Sequence, residues 1–237
     1  MSYLLVILLL GLLILVHELG HFVAARWSGI DVARFSIGFG PKLWAVHRGQ
    51  TEYWLSAIPL GGYVMPAIEN EQQFFAIPLH KRMWFAIGGP AANLLFAVLG
   101  FVVLAAVAGN WTLHGLLVEP VWRTMQLTAM VTLAIPALFA QPEHLSSVLG
   151  IVSSGSDYVG MNAARALQFV IMLSVNLAVF NMLPLPVLDG GKILLGLVEK
   201  VYPKATRAFV PLTVAAALLL LGLILYATAL DLGRLFA

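Results

Sequence analysis

Residues 3–27 read YLLVILLLGLLILVHELGHFVAARW. An apolar run of this length can cross a bilayer as a helix. It carries His17-Glu18-Leu19-Gly20-His21 in its C-terminal third. Two imidazoles and a carboxylate are costly in hydrocarbon, so groups placed there usually have a function. At about 1.5 Å of rise per residue, His17 lies roughly 20 Å along the helix from Tyr3, below the membrane surface and near the exit end of the span. Residues 3–16 superficially resemble a signal peptide. No basic stretch precedes them and no small-residue cleavage site follows, so they read as a retained first span.

The composition fits this start. Of 237 residues, 61% are hydrophobic and only 10% charged, and the mean hydropathy is +0.94. A water-soluble domain of this length needs far more charge, so the chain reads as an integral membrane protein. A net charge of +2 is too small to suggest nucleic-acid binding, and the lack of cysteine excludes disulfides, thiolate metal sites and a cysteine nucleophile.

Further along, residues 31–65 change character. The segments DVARFSIGFGPKLW and TEYWLSAIPLGGYV are rich in β-branched and aromatic residues and are punctuated by Gly38, Gly40, Pro41, Gly61 and Gly62. They read as strands and turns associated with the membrane. A second span is predicted over about 83–107, with Gly88, Gly89, Ala91 and Ala92 small enough for close helix contact. Asn93 is a polar residue at depth, and an interhelical hydrogen bond and a direct functional role explain it equally well. Residues 125–139 are apolar, but their short length and Pro136 favour an interfacial helix. Residues 150–160 read as a loop. A third span over 161–183 ends before Pro184 and Pro186, since two prolines this close stop a helix. A short helix over 192–200 follows, with Asp189 able to cap it, and a last span covers about 209–230. The fold class is therefore a mainly α membrane protein with four transmembrane helices, a β-hairpin or sheet between the first two, and an interfacial helix before the third.

Basic residues orient the spans. Of 13 lysines and arginines, six (Arg26, Arg34, Lys42, Arg48, Lys81, Arg82) lie around the first inter-span segment and four (Lys192, Lys200, Lys204, Arg207) between the last two spans. Both segments then belong on the cytoplasmic side, and four spans bring the histidine motif and Asp189 to one membrane face. A fifth span over 125–139 would separate them, so the four-span count leans partly on the need to complete a metal site.

A spacing of four puts His17 and His21 on one helical face, where both can bind one zinc ion. Glu18 stands beside the first ligand and can act as general base toward a zinc-activated water, whose pKa falls to about 7. A catalytic zinc keeps three protein ligands and one open position. Asp189, after a helix break and at the same face, is the best candidate for the third. Its alternative is a helix cap only, and its pairing with the histidine motif favours ligation. His47, His80, His114 and His144 lack helical partners and read as surface or interfacial histidines. Gly61-Gly62 reads as a turn. The strand over 52–60 is either a structural hairpin or an exposed edge that accepts a peptide by strand addition.

These residues resemble the site-2 protease family of intramembrane zinc metalloproteases, in particular the bacterial branch that cleaves membrane-bound anti-sigma factors and signal-peptide remnants. The likeness rests on HELGH, RFSIGFGPKLW, IPLGGYV, GGPAANLLFA and SVNLAVFNMLPLPVLDGGKIL, and covers most of residues 5–108 and 150–230. It implies one zinc per chain held by His17, His21 and Asp189, with Glu18 as base. It also implies that Asn176 and Asn181 bind the unwound substrate or its oxyanion, and that the strand carrying Leu55, Ser56, Ala57, Ile58, Gly61 and Gly62 is a substrate-pairing edge. The implied substrates are single-pass membrane proteins, and the implied location is the bacterial inner membrane with the active site toward the cytoplasm. Relatives of this branch usually carry PDZ domains between the second and third spans. About 50 residues there leave no room for one, and Ala76 and Pro78 stand where polar residues are common. The rivals are a metal carrier, which would need polar residues along a path across several spans, and a non-proteolytic scaffold, which would be free to lose Glu18.

Overall fold

The computed structural model describes residues 2–68, 70–140, 146–160 and 162–236. It is mostly helical, and the expected fold class holds. Helix α1 runs Ser2–Ser28. It stops where Gly29 takes a left-handed φ of +66°. Gly29 N–H then donates to the Arg26 carbonyl and Ile30 N–H to the Ala25 carbonyl. This paired closure satisfies two carbonyls at the helix end. Ile30 is turned into a small core with Ala25 and Val32, which ties the start of the sheet to the helix.

Strands β1, Val32–Arg48, and β2, Thr51–Pro66, form an antiparallel hairpin closed at Arg48 and Thr51. The register shifts repeatedly, because both strands bend where glycine supplies positive φ at Gly38, Gly40 and Gly61. Arg34, Phe35, Ser36 and Ile37 consequently pair twice, with Met65, Val64, Tyr63 and Gly62 and also with Glu52, Tyr53, Trp54 and Leu55. The first half of β1 is thus flanked by both ends of β2. Residues 62–66 are carried back against α1: a Cβ on Gly61 would lie 2.6 Å from Ile14 Cγ2.

After the short helix α2, Glu71–Ala76, helix α3 spans Leu79–Val107. It meets α1 through glycine. A Cβ on Gly20 would come within 2.2 Å of the Gly88 carbonyl oxygen, and one on Gly88 within 2.5 Å of the Gly20 carbonyl oxygen. Lipid is as apolar as a leucine side chain, so close van der Waals contact of this kind drives helix association in membranes. On its other side, α3 packs on α6, Ala163–Asn181, through a core of Ala97, Ile171, Val175 and Val179.

Between α3 and α6 the chain departs from expectation twice. A π-helical turn, His114–Val118, leads into α4, Glu119–Ala140. This helix begins six residues before the predicted interfacial segment. It is held by packing, with Leu127, Val131 and Ile135 set against the α3–α6 core. Residues 150–160, predicted as a loop, are helical: α5 runs Val148–Val159. Its N-terminus is satisfied by Asp231, which accepts hydrogen bonds from Ser147 N–H, Ser147 Oγ–H and Gly150 N–H at 2.7, 2.7 and 3.1 Å. The partner lies over 80 residues away, so local glycines and serines gave a loop signal that tertiary contact overrode. His144 falls outside the described residues, as does Met161, the first residue of the predicted third span.

Helix α7, Asp189–Val201, then leads through a 3₁₀ turn, Pro203–Ala208, into α8, Phe209–Phe236. Among the described residues, four helices are long and apolar enough to cross a membrane: Tyr3–Ser28, Leu79–Val107, Ala163–Asn181 and Phe209–Arg234. Helix α8 is only 6% buried over its most apolar window, so nearly all its leucine-rich surface is left for lipid.

Candidate metal centre

His17 and His21 lie one turn apart on α1, on the face turned toward α3 and α7. Both are buried, at 6% and 5% exposure. The helix break after α6 brings the third group to them. Residues 182–188 fold back so tightly that a Cβ on Gly190 would meet the Met182 carbonyl oxygen at 2.1 Å and one on Gly191 the Leu185 carbonyl oxygen at 1.9 Å. Only glycine permits this approach, and it delivers Asp189 into the space between the helices. Leu188, not Asp189, holds the N-cap position of α7, and it makes no side-chain cap bond. The carboxylate faces inward instead. Its Oδ2 lies 3.1 Å from both His17 Nε2 and His21 Nε2, which are themselves 3.1 Å apart.

The candidate ligand atoms of His17, His21 and Asp189 all lie within 4.8 Å of one another. Asp189 Oδ1 accepts a hydrogen bond from Lys192 Nζ at 2.9 Å. Burial opposes ionisation of Asp189, and the Lys192 ammonium beside Oδ1 favours it.

The surroundings fit a tetrahedral cation. Two imidazole nitrogens and one carboxylate oxygen are a donor set suited to zinc, which bonds such atoms at about 2.0–2.2 Å. The His21 Nδ1–H donates to the Phe85 carbonyl at 2.7 Å, and this leaves the Nε2 lone pair free. Gly89 makes the room: a Cβ there would fall 2.5 Å from His21 Nε2 and 2.6 Å from His17 Nε2.

Glu18 lines the same cleft, of about 490 Å³, and its Oε2 accepts a hydrogen bond from Val64 N–H at 3.2 Å. Asn181 lines it too. Asn176 does not. It faces a separate, largely apolar cavity of about 620 Å³ bounded by Leu13 and Ile14, a turn before His17. The β2 residues at the cleft are Tyr63, Val64 and Pro66, whereas Leu55, Ser56, Ala57, Ile58, Gly61 and Gly62 are not among its lining residues. Sequence reasoning missed three partners here: the Phe85 carbonyl, the space left by Gly89, and Lys192. Asn93 was visible only as a polar residue at depth, and its side chain lies 3.1 Å from His17 Nδ1.

The sequence profile of peptidase family M50 matches residues 5–225. The chain belongs to peptidase family M50. Among its M50 relatives, a Nostoc protein provisionally named a zinc metalloprotease is 32% identical over 213 residues, covering 83% of this chain and 58% of the relative. A Treponema pallidum protein with the same provisional name is 37% identical over 134 residues, 49% of this chain and 29% of the relative. The regulator of sigma E protease of Haemophilus influenzae is 42% identical over 108 residues, 41% of this chain and 24% of the relative. The matches thus span between about a quarter and somewhat over half of these relatives' lengths. M50 membership accords with the four apolar helices and with the buried His17, His21 and Asp189 group.

Proposed function

We propose that this chain is an intramembrane zinc endopeptidase that hydrolyses peptide bonds in or near the transmembrane segment of single-pass membrane proteins. The observation that carries this reading is the buried convergence of His17, His21 and Asp189 beside Glu18, inside a bundle of membrane-length helices. One zinc, held by those three residues, would supply Lewis acidity and an activated water at neutral pH. Glu18 is placed to take the proton from that water and return it to the leaving amine. Asn181, on the same cleft, donates one amide hydrogen to the Leu177 carbonyl at 3.0 Å and has the other to offer the carbonyl oxygen as charge develops.

A transmembrane helix must unwind before its amides can be attacked. Tyr63, Val64 and Pro66 lie at the cleft, in the end of β2 that pairs with β1. An unwound substrate strand laid along this edge would exchange main-chain hydrogen bonds with it. Val64 N–H, which donates to Glu18, is an amide of this edge turned toward the cleft. By the distribution of Arg and Lys, we place the cleft toward the cytoplasmic face of a bacterial inner membrane.

Co-expression with tagged single-pass candidates tests this. The parent should release a new cytoplasmic fragment, and Glu18→Gln should bind zinc as the parent does and release none. A Glu18→Gln variant that still cuts a model transmembrane substrate in detergent refutes the mechanism.

A further inference from the structure

Three residues of α3 at four-residue spacing, Phe85, Gly89 and Asn93, meet the two imidazoles in turn. The Phe85 carbonyl accepts from His21 Nδ1–H, the Gly89 backbone passes beside both Nε2 atoms, and the Asn93 amide reaches His17 Nδ1. Such spacing puts them on one helical stripe. It matches the four-residue spacing of the histidines because α1 and α3 are drawn together at Gly20 and Gly88. Asn93 is wholly buried, and its backbone carbonyl accepts a hydrogen bond from Ser174 Oγ–H at 2.8 Å, which fixes α3 against α6 at this level.

The two contacts differ in what they dictate. A carbonyl can only accept, so Phe85 fixes the proton of His21 on Nδ1 and leaves Nε2 basic. The Asn93 amide has a donor end and an acceptor end, exchanged by a half-turn. With its nitrogen at the 3.1 Å contact, His17 Nδ1 must accept. The proton then sits on Nε2 and blocks ligation there, while Asn93 Oδ1 is buried without a partner among the described residues. With its oxygen at the contact, Nδ1–H donates, and the Nε2 lone pair points toward His21 and Asp189. Either orientation leaves one end of the amide unpartnered, so the chemistry of ligation makes the choice.

We propose that Asn93 is a positioning residue whose side-chain oxygen accepts the His17 Nδ1 proton, so that α3 sets the tautomer of both histidine ligands. The inference rests on the zinc reading given above. Outer partners of this kind orient ligand rings and raise their basicity, and their loss typically weakens metal binding about 10–100-fold.

The test uses the full chain in detergent. Zinc affinity is measured by competition with a chromophoric chelator, and ligand geometry by the visible spectrum of the cobalt-substituted protein. Asn93→Leu keeps the size and removes the acceptor. It should weaken zinc about 10–100-fold and alter the cobalt spectrum. Asn93→Asp presents only oxygens at the same point, ionised or protonated. It should keep near-parental affinity and the parental spectrum. An Asp variant as weak as the Leu variant, or a Leu variant as tight as the parent, overturns the proposal. If Asn93→Leu fails to fold, Asn93→Asp against the parent decides alone. A parent that takes up no zinc, or a His17→Ala variant that takes up as much as the parent, overturns the zinc reading itself and this proposal with it.

Discussion

Replacing Gly89 by alanine adds one methyl group against both imidazoles of the site. The new carbon would lie 2.5 Å from His21 Nε2, 2.6 Å from His17 Nε2 and 2.7 Å from His17 Cε1, where ordinary contact starts at 3.4 Å. Each ring nitrogen must therefore retreat by roughly 0.8–0.9 Å, because α3 is pinned by its glycine contact with α1 and cannot yield instead. Zinc–nitrogen bonds sit at about 2.0–2.1 Å with a tolerance of about 0.2 Å, so neither histidine can ligate from its displaced position. Zinc affinity should fall by more than the roughly 10–100-fold that follows loss of an outer partner alone. The backbone itself gains, since alanine is favoured over glycine by about 1 kcal/mol inside a helix. Metal analysis after gel filtration, chelator competition, and thermal unfolding of the metal-free protein check the three parts. Gly222→Ala is the control, because nothing lies within 4 Å of a Cβ there. A Gly89→Ala protein that holds one zinc at parental affinity refutes the placement of the ligands around this glycine.

Gly191→Ala would drive a Cβ to 1.9 Å from the Leu185 carbonyl oxygen, so the loop before α7 must open and withdraw Asp189; zinc titration should show weakened binding while the far-ultraviolet circular dichroism stays parental. Asp231→Ala leaves the Ser147 and Gly150 N–H groups without their acceptor, at a cost of about 1–3 kcal/mol; hydrogen exchange should quicken in residues 148–159 and not around His17. Gly88→Val forces α1 and α3 apart and should cost at least about 1–3 kcal/mol of overpacking, read as a lowered melting temperature in detergent. Chelation of the proposed zinc should lower the melting temperature of the parent, since free metal at about 100 times its dissociation constant contributes about 2.7 kcal/mol; Asp189→Ala should show no such chelator-dependent shift.

Much of this protein was legible in one dimension. The four membrane helices were legible because bilayer thickness sets a length of continuous apolar sequence that few other structures need. His17 and His21 were legible as a candidate metal-binding pair because two ligands on one helix need a fixed spacing. Asp189 was legible as a carboxylate after a proline break. The tertiary structure decided the rest. That α5 is a helix depends on Asp231, and that Asp189 faces the histidines rather than capping α7 depends on a loop closed over Gly190 and Gly191. That Tyr63, Val64 and Pro66 of β2 meet the cleft, and residues 55–58 do not, follows from where Gly38, Gly40 and Gly61 bend the strands. Which atom of Asn93 faces His17 is a matter of a half-turn about one bond. Spacing within one helix repeats in the sequence and can be read there. A contact between residues 64 to 172 positions apart leaves only a small or polar residue whose partner appears when the helices are packed.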